Sequence, residues 1–331
     1  MKVIIDNAIP YIKGVLEPYA EVLYREGRDF RKEEVRDADM LIIRTRTRCD
    51  KALLEGSRVR LISTATIGFD HIDLDYCAQR GIAVTTAQGC NAAGVLQWVA
   101  AALAMLSASE GWRPEERALG IVGVGNVGRL VEQYARAWGF RVLRCDPPRL
   151  EREGGDFLPM EEVVAQADIV TFHTPLDSTT FHLISDDVIA LMKPTATLIN
   201  ASRGEVADTA ALLKAEQKLM LDVWENEPAI NADLLRKAIV TTPHIAGYSA
   251  QGKANATAAV VAAAAEHFSL PIDGWYPAEV KPVGRTPIGW DEMCATITAH
   301  CDLAAESAQL KSAPDAFELL RNNYNYREEY F

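Results

Sequence analysis

Residues 119–130, with the sequence LGIVGVGNVGRL, contain the motif that decides the fold. Gly123, Gly125 and Gly128 form G-x-G-x-x-G after a short apolar run and before the amphipathic stretch NVGRLVEQYARAW. This order predicts a strand, a tight turn and a helix that together bind a dinucleotide. The first glycine permits the turn, the second lets a pyrophosphate approach, and the third allows close helix packing. The helix N-terminus presents unpaired N–H groups to the pyrophosphate.

The run RVLRCD follows the glycine turn and ends in Asp146. A carboxylate at this place accepts hydrogen bonds from the adenosine ribose and repels a 2′-phosphate. The sequence therefore predicts NAD as the cofactor. Arg149 lies close to Asp146 in the sequence and leaves NADP open.

Short β-branched runs alternate with helical patterns on both sides of the motif, which predicts parallel sheets with crossover helices in the α/β class. A first series of about 90 residues precedes the motif, and a second series continues from it. An alanine-rich helical segment after the second series is expected to return to the first. We expect a discontinuous substrate domain at 1–92 and 247–269, a cofactor domain at 93–246, and a small C-terminal module at 270–331 that packs on a partner.

Composition excludes several classes of function. The net charge of −12 argues against a nucleic acid or an anionic membrane as partner. The six cysteines show no C-x-x-C pair and no metal-ligand spacing, so no metal is predicted and a cytoplasmic location is expected. The longest apolar runs, WVAAALAML and AVVAAAA, are too short to span a bilayer.

Three segments place chemically useful side chains after predicted strands: INASRGEVAD, LDVWENEP and TPHIAGY. Open α/β sheets bind ligands at the carboxyl ends of their strands, so Arg203, Glu227 and His244 are expected to converge. An arginine clamps a carboxylate, a histidine takes a hydroxyl proton while hydride leaves, and a glutamate orients the histidine. Singly, these residues also fit a surface arginine, a solvated loop charge and a packed core histidine.

Residues 1 to about 268 resemble the D-isomer-specific 2-hydroxyacid dehydrogenases, through GIVGVGNVG, FHTPL, INASRG, DVWENEP and PHIAG. The resemblance implies two Rossmann-like doubly wound parallel-sheet domains, hydride transfer to NAD and a homodimer. It implies that Arg203 orients the substrate, that Glu227 supports the histidine, and that His244 is the acid-base.

Further segments, among them TATIGFDHID, GCNAAGV and HIAGYSAQGKA, resemble family members that oxidise 4-phosphoerythronate in pyridoxal phosphate synthesis. The ending LRNNYNYREEYF resembles part of their C-terminal dimerisation module. This resemblance implies substrate contacts from Thr45, Thr66 and Tyr248. The NAD contacts it implies, with the turn residues included, are Gly123, Gly125, Asn126, Val127, Gly128, Asp146, Thr174, Ala201, Arg203, Asp222 and Gly247.

The run IIRTRTR suggests a phosphate site. Arg44, Arg46 and Arg48 alternate along a predicted strand end, so their side chains are expected on one face, with Arg44 and Arg46 binding a phosphate. A solvated sheet edge is the alternative. The same run resembles family members that act on 3-phosphoglycerate, which are the second candidate. An NAD-sensing corepressor or scaffold on the same fold is a third.

Overall fold

The protein is described by a computed structural model that covers residues 1–284 and 286–331. The strands are β1 Lys2–Asp6, β2 Glu21–Arg25, β3 Met40–Ile43, β4 Leu61–Thr64, β5 Ala83–Thr86, β6 Ala118–Val122, β7 Arg141–Cys145, β8 Ile169–Phe172, β9 Thr197–Asn200, β10 Lys218–Leu221 and β11 Val240–Thr241. The helices are α1 Lys32–Val35, α2 Lys51–Leu54, α3 Leu74–Gln79, α4 Ala92–Glu110, α5 Asn126–Trp138, α6 Pro147–Glu153, α7 Met160–Gln166, α8 Asp186–Leu191, α9 Thr209–Lys214, α10 Ala232–Lys237, α11 Ala250–Phe268, α12 Trp290–His300, α13 Leu303–Ser312 and α14 Phe317–Asn322.

The chain forms two compact units. Unit 1 consists of Met1–Asn91 and Ala250–Pro282, and unit 2 consists of Ala92–Ser249 and Val283–Phe331. Each unit contains a parallel sheet flanked by helices, so the predicted α/β class with two Rossmann-like domains is confirmed.

Unit 1 has a five-stranded parallel sheet in the order β2-β1-β3-β4-β5. Its central strands β3 (MLII) and β4 (LIST) are buried on both faces, as expected for a parallel sheet covered by helices. The helix α11 packs against one face, where Val260, Val261 and Ala264 join a core cluster with Val3 and Ile5.

Unit 2 has a six-stranded parallel sheet in the order β11-β10-β9-β8-β6-β7. The first strand of this unit, β6, lies between β7 and β8. The chain therefore forms β7 on one side of β6 and then crosses to the other side to form β8. Doubly wound sheets bind their ligands at such a switch point, beyond the carboxyl ends of the strands. The glycine turn of residues 123–128 follows β6 directly.

The helix α4 is the single helix of the described residues that is long and apolar enough to cross a membrane, and most of it is buried inside the protein. It contributes Trp98, Val99 and Leu103 to the core. Its burial is therefore that of a core helix.

The division of the chain differs from the predicted boundaries in its C-terminal part. Residues 270–282 belong to unit 1, and residues 283–331 belong to unit 2. Trp290 at the start of α12 stacks on Trp112 and meets Trp138 edge-on, so this segment shares the core of unit 2. The sequence did not reveal this because the packing depends on aromatic residues far apart in the chain. The dimerisation role of the segment stays a prediction.

Candidate active site

The glycine turn has the geometry that each of its three glycines requires. Gly123 has a φ of 85°, and a Cβ there would lie 2.8 Å from the carbonyl carbon of His173. A Cβ on Gly128 would lie 2.1 Å from the carbonyl oxygen of Gly123, so any larger residue would displace the turn. A Cβ on Gly125 would have no atom within 4 Å. Gly125 therefore faces open space, where a pyrophosphate can approach the backbone.

The surroundings of the turn fit NAD. Gly125 is the N-cap of α5 and gives no side-chain cap, so the first N–H groups of this 13-residue helix remain for an anion. The buried Thr174 Oγ1, just after β8, has no hydrogen-bond partner among the described residues. Burial lowers the pKa of the neighbouring His173 to about 3, which keeps that ring neutral. Asn126 and Val127 form the start of α5.

Asp146 follows β7 and accepts two backbone hydrogen bonds. Its Oδ2 accepts from Val124 N at 2.8 Å and its Oδ1 from Arg149 N at 3.0 Å, so the carboxylate is fixed beside the glycine turn. The Arg149 guanidinium bonds to the Val124 carbonyl and to Glu153. Since the guanidinium is engaged in this way, Arg149 is poorly placed to receive a 2′-phosphate.

Glu227 and His244 form a direct pair. Glu227 follows β10, His244 follows β11, and the His244 Nδ1 lies 2.8 Å from the Glu227 Oε2. The other carboxylate oxygen of Glu227 accepts from Trp224 N at 2.9 Å. Burial raises the pKa of Glu227, but the bonds from His244 and Trp224 and the charge of Arg321 outweigh burial and hold that pKa below its usual value. The carboxylate is therefore ionised and fixes a proton on His244 Nδ1, which leaves Nε2 as an acceptor.

Asp222, at the end of β10, holds the loop that carries His244. Its buried carboxylate accepts from the Thr242 hydroxyl at 2.6 Å, from Ile245 N at 2.8 Å and from Ala246 N at 3.0 Å. Burial raises the pKa of Asp222 against the opposing effect of these donors and of His244. His244 itself has a φ of 57°, an uncommon conformation that this network maintains. Gly247 follows the same loop.

Arg203 and Ala201 lie in the loop after β9, the neighbour of β10 in the sheet. Arg203 Nη1 donates to the Ser202 carbonyl at 2.8 Å. Among the described residues, Arg203 makes no hydrogen bond to Glu227 or His244. A Cβ on Gly204 would lie 1.9 Å from the Trp224 carbonyl oxygen, which explains the Arg-Gly sequence. The three predicted catalytic residues thus follow three adjacent strands at one edge.

The C-terminal segment supplies two arginines that sequence reasoning missed. Arg327 is buried and donates to the carbonyls of Ile245 and Ala246, the two residues whose N–H groups bond to Asp222. Arg321 in α14 donates from Nε to the Tyr248 hydroxyl at 3.2 Å. The aromatic and charged ending was the only available signal, and it did not indicate which loop the arginines contact.

The predicted substrate residues of unit 1 lie in loops. The strand β3 ends at Ile43, so Arg44, Arg46 and Arg48 do not alternate along a strand, and the expectation of one shared face is wrong. Arg44 Nη1 donates to the Ala8 carbonyl at 3.3 Å, and Arg48 pairs with Asp50. Parallel pairing of β3 with β4 stops at Ile43, and a turn follows.

Of the other two predicted substrate residues in unit 1, Thr45 is exposed. Thr66 bonds to Thr64 and to the Gly68 carbonyl.

A group of His182, Asp208 and Glu225 brings possible metal ligands within 4.8 Å of one another. Both oxygens of Glu225 are engaged, with His182 Nε2 at 2.7 Å and Thr209 N at 2.8 Å. Sequence spacing did not predict this group, and its contacts are those of a local hydrogen-bond cluster beside the start of α9.

Known proteins resemble this chain over its cofactor domain and over almost its whole length. Residues 94–246 match the family model described as D-isomer specific 2-hydroxyacid dehydrogenase, NAD binding domain. The erythronate-4-phosphate dehydrogenase of Bacteroides fragilis (strain YCH46) is 46% identical over 341 residues, which cover 99% of this chain and 97% of that relative. The erythronate-4-phosphate dehydrogenase of Porphyromonas gingivalis (strain ATCC BAA-308 / W83) is 39% identical, with 99% and 94% covered.

Solved structures show the same fold. D-lactate dehydrogenase from Aquifex aeolicus, complexed with NAD and lactic acid, has a TM-score of 0.65 at 24% identity and covers 86% of this chain and 100% of its own. The NAD+-bound 3-phosphoglycerate dehydrogenase of Entamoeba histolytica has a TM-score of 0.67 at 24% identity, with 81% and 95% covered.

The fold and the glycine turn are those of an NAD-dependent dehydrogenase. The chain belongs to the D-isomer specific 2-hydroxyacid dehydrogenase family.

Proposed function

We propose that the protein oxidises 4-phospho-D-erythronate to 2-oxo-3-hydroxy-4-phosphobutanoate with NAD, as a step in pyridoxal phosphate biosynthesis. The observation that carries the proposal is the 2.8 Å bond between His244 Nδ1 and Glu227, after adjacent strands of the cofactor unit. The choice of substrate is supported by relatives named erythronate-4-phosphate dehydrogenase, which match almost the whole chain.

His244 acts as the base for alcohol oxidation. Its Nε2 takes the proton of the C2 hydroxyl, the C–H electron pair leaves C2 as hydride, and a carbonyl forms at C2. NAD, when bound, supplies the hydride acceptor, so the reaction yields the 2-oxo acid, NADH and one proton. Glu227 keeps the Nδ1 proton in place and stabilises the positive charge that the ring gains.

Arg203 binds the substrate carboxylate and orients C2, because a guanidinium fork matches two carboxylate oxygens. Asp146 receives the adenosine ribose. The rest of NAD is surrounded by the residues of the glycine turn and by four residues outside it: Thr174, Ala201, Asp222 and Gly247. Tyr248, Thr45 and Thr66 bind the substrate. Arg44 and Arg46 stay candidates for the substrate phosphate on their charge, without the support of a shared strand face.

A panel of D-2-hydroxy acids with NAD, followed by NADH absorbance, tests the proposal. We expect 4-phosphoerythronate to give the highest kcat/KM, above 3-phosphoglycerate and unphosphorylated D-erythronate. A higher value for 3-phosphoglycerate would assign the protein to the second candidate. NAD binding without turnover of any acid would favour a corepressor or scaffold. We also propose a homodimer in the cytoplasm, and light scattering after gel filtration tests the dimer.

A further inference from the structure

Arg321 lies beside the histidine pair although it comes from the C-terminal helix α14. Its Nε donates to the Tyr248 hydroxyl at 3.2 Å, and its Nη1 lies 3.7 Å from the Glu227 Oε2. That same oxygen bonds His244 Nδ1 at 2.8 Å. A single guanidinium therefore contacts a predicted substrate residue and borders the pair proposed for proton transfer.

The charge of Arg321 is only partly satisfied inside the protein. Its side chain is 27% exposed, so water solvates the guanidinium incompletely. The separation of 3.7 Å from Glu227 exceeds hydrogen-bond distance, and the carboxylate is already bonded to His244 and Trp224. Nη2 has no hydrogen-bond partner in the part of the chain that the structure describes. A half-buried guanidinium with unused donors is a binding group for an oxyanion.

We propose that Arg321 is a specificity-determining residue that binds the phosphate group of the substrate, with its Nη1 and Nη2 directed at two phosphate oxygens. This inference rests on the proposed function. A phosphorylated 2-hydroxy acid carries two anionic groups, and Arg203 takes the carboxylate. Arg321 supplies the second guanidinium of the same unit. Its Nε is held by Tyr248, which leaves the outer edge of the fork for the phosphate.

Phosphate binding by Arg321 and a role that only positions its neighbours have different effects on the kinetics. A positioning role through Glu227 or Tyr248 would affect every 2-hydroxy acid alike, because the proton transfer is common to all of them. Phosphate binding affects phosphorylated substrates selectively and acts mainly on KM. A lysine keeps the charge but loses the fork, so Arg321→Lys is expected to recover only part of the loss.

The test compares wild type, Arg321→Met and Arg321→Lys on 4-phosphoerythronate and on D-erythronate at saturating NAD. Arg321→Met is expected to lower kcat/KM for 4-phosphoerythronate by about ten- to a hundredfold, mainly through KM, and to change the value for D-erythronate by less than about threefold. Inhibition of D-erythronate oxidation by inorganic phosphate is expected to weaken by a similar factor. The matched control is Arg236→Met, which removes an exposed arginine of unit 2 paired with Asp233. This substitution should leave kcat/KM unchanged for both substrates.

Equal losses on both substrates in Arg321→Met would overturn the inference and leave a positioning role. If wild type does not oxidise 4-phosphoerythronate, the proposed function fails instead, so the two failures are distinguishable. Melting curves check the fold of each variant. If Arg321→Met does not fold, Arg321→Lys decides the question, because a selective loss on the phosphorylated acid supports the inference and unchanged kinetics overturn it.

Discussion

The substitution Glu227→Gln tests how the carboxylate controls His244. Glu227 accepts one hydrogen bond at each oxygen, from Trp224 N and from His244 Nδ1, whereas glutamine has a single acceptor oxygen. If that oxygen turned to His244, the buried N–H of Trp224 would face an NH2 group, at a cost of about 1–3 kcal/mol. The oxygen should therefore stay with Trp224, and the NH2 group should donate to Nδ1.

That arrangement moves the histidine proton to Nε2, which then has no lone pair for the substrate proton. The cost of about 1–3 kcal/mol favours this unreactive tautomer by about 5- to 150-fold, so the tautomer alone should lower kcat by that factor. Loss of the negative charge lowers kcat further, toward the roughly 10²–10⁴ typical of lost acid–base catalysis. Stopped-flow or steady-state NADH formation measures kcat, and NAD affinity should stay within about twofold of wild type.

Glu225→Gln is the matched control for this experiment. Glu225 also accepts from a histidine and from a backbone N–H, at 2.7 Å and 2.8 Å, but the proposed mechanism does not use it. Its kcat is expected to remain near the wild-type value. A Glu227→Gln enzyme with the kcat and pH profile of wild type would refute the control of His244 by Glu227.

Three further substitutions test the cofactor site and the stability of unit 2. Gly125→Ala should leave the melting temperature unchanged, because a Cβ there meets no atom within 4 Å, but should weaken NAD about tenfold or more by calorimetry. Asp146→Ala should narrow the preference for NAD over NADP in initial rates, and a wild-type enzyme that prefers NADP would contradict the role of Asp146. Asp168 is partly buried, which raises its pKa, but bonds from Ala118 N and Lys193 hold that pKa below the ordinary 3.8. The ionised Asp168 carboxylate therefore stabilises the folded state above pH 3.8, and this stabilisation is lost as the pH falls. Asp168→Asn should lower the melting temperature by about 2 °C at pH 7, and by progressively less below pH 3.8.

The strands and the cofactor turn were predictable because their signals are local. A buried parallel strand is a short apolar run, and G-x-G-x-x-G needs only its neighbours to specify a turn. The order of Arg203, Glu227 and His244 along the chain also indicated a shared edge, because each follows its own strand of a parallel sheet.

The remaining features depend on contacts between distant residues. The arginine run from Arg44 to Arg48 has the period of a strand, but the strand ends where pairing with β4 ends, and sequence period does not show that limit. Arg321 lies 73 residues from Tyr248 along the chain, so its contact depends on how α14 packs. Nothing in the residues near Arg321 indicates a place beside a histidine.

The return of α11 to the first sheet has a consequence for synthesis on the ribosome. The cluster that contains Val3, Ile5, Met40 and Ile42 is completed by residues of α11, which are translated only after the Ala92–Ser249 segment of unit 2. At an elongation rate of about 5–20 residues per second, the nascent N-terminal segment waits roughly 10 to 30 s for this helix. During that interval an apolar sheet face lacks its cover, so the emerging chain is a ready client for a holdase chaperone.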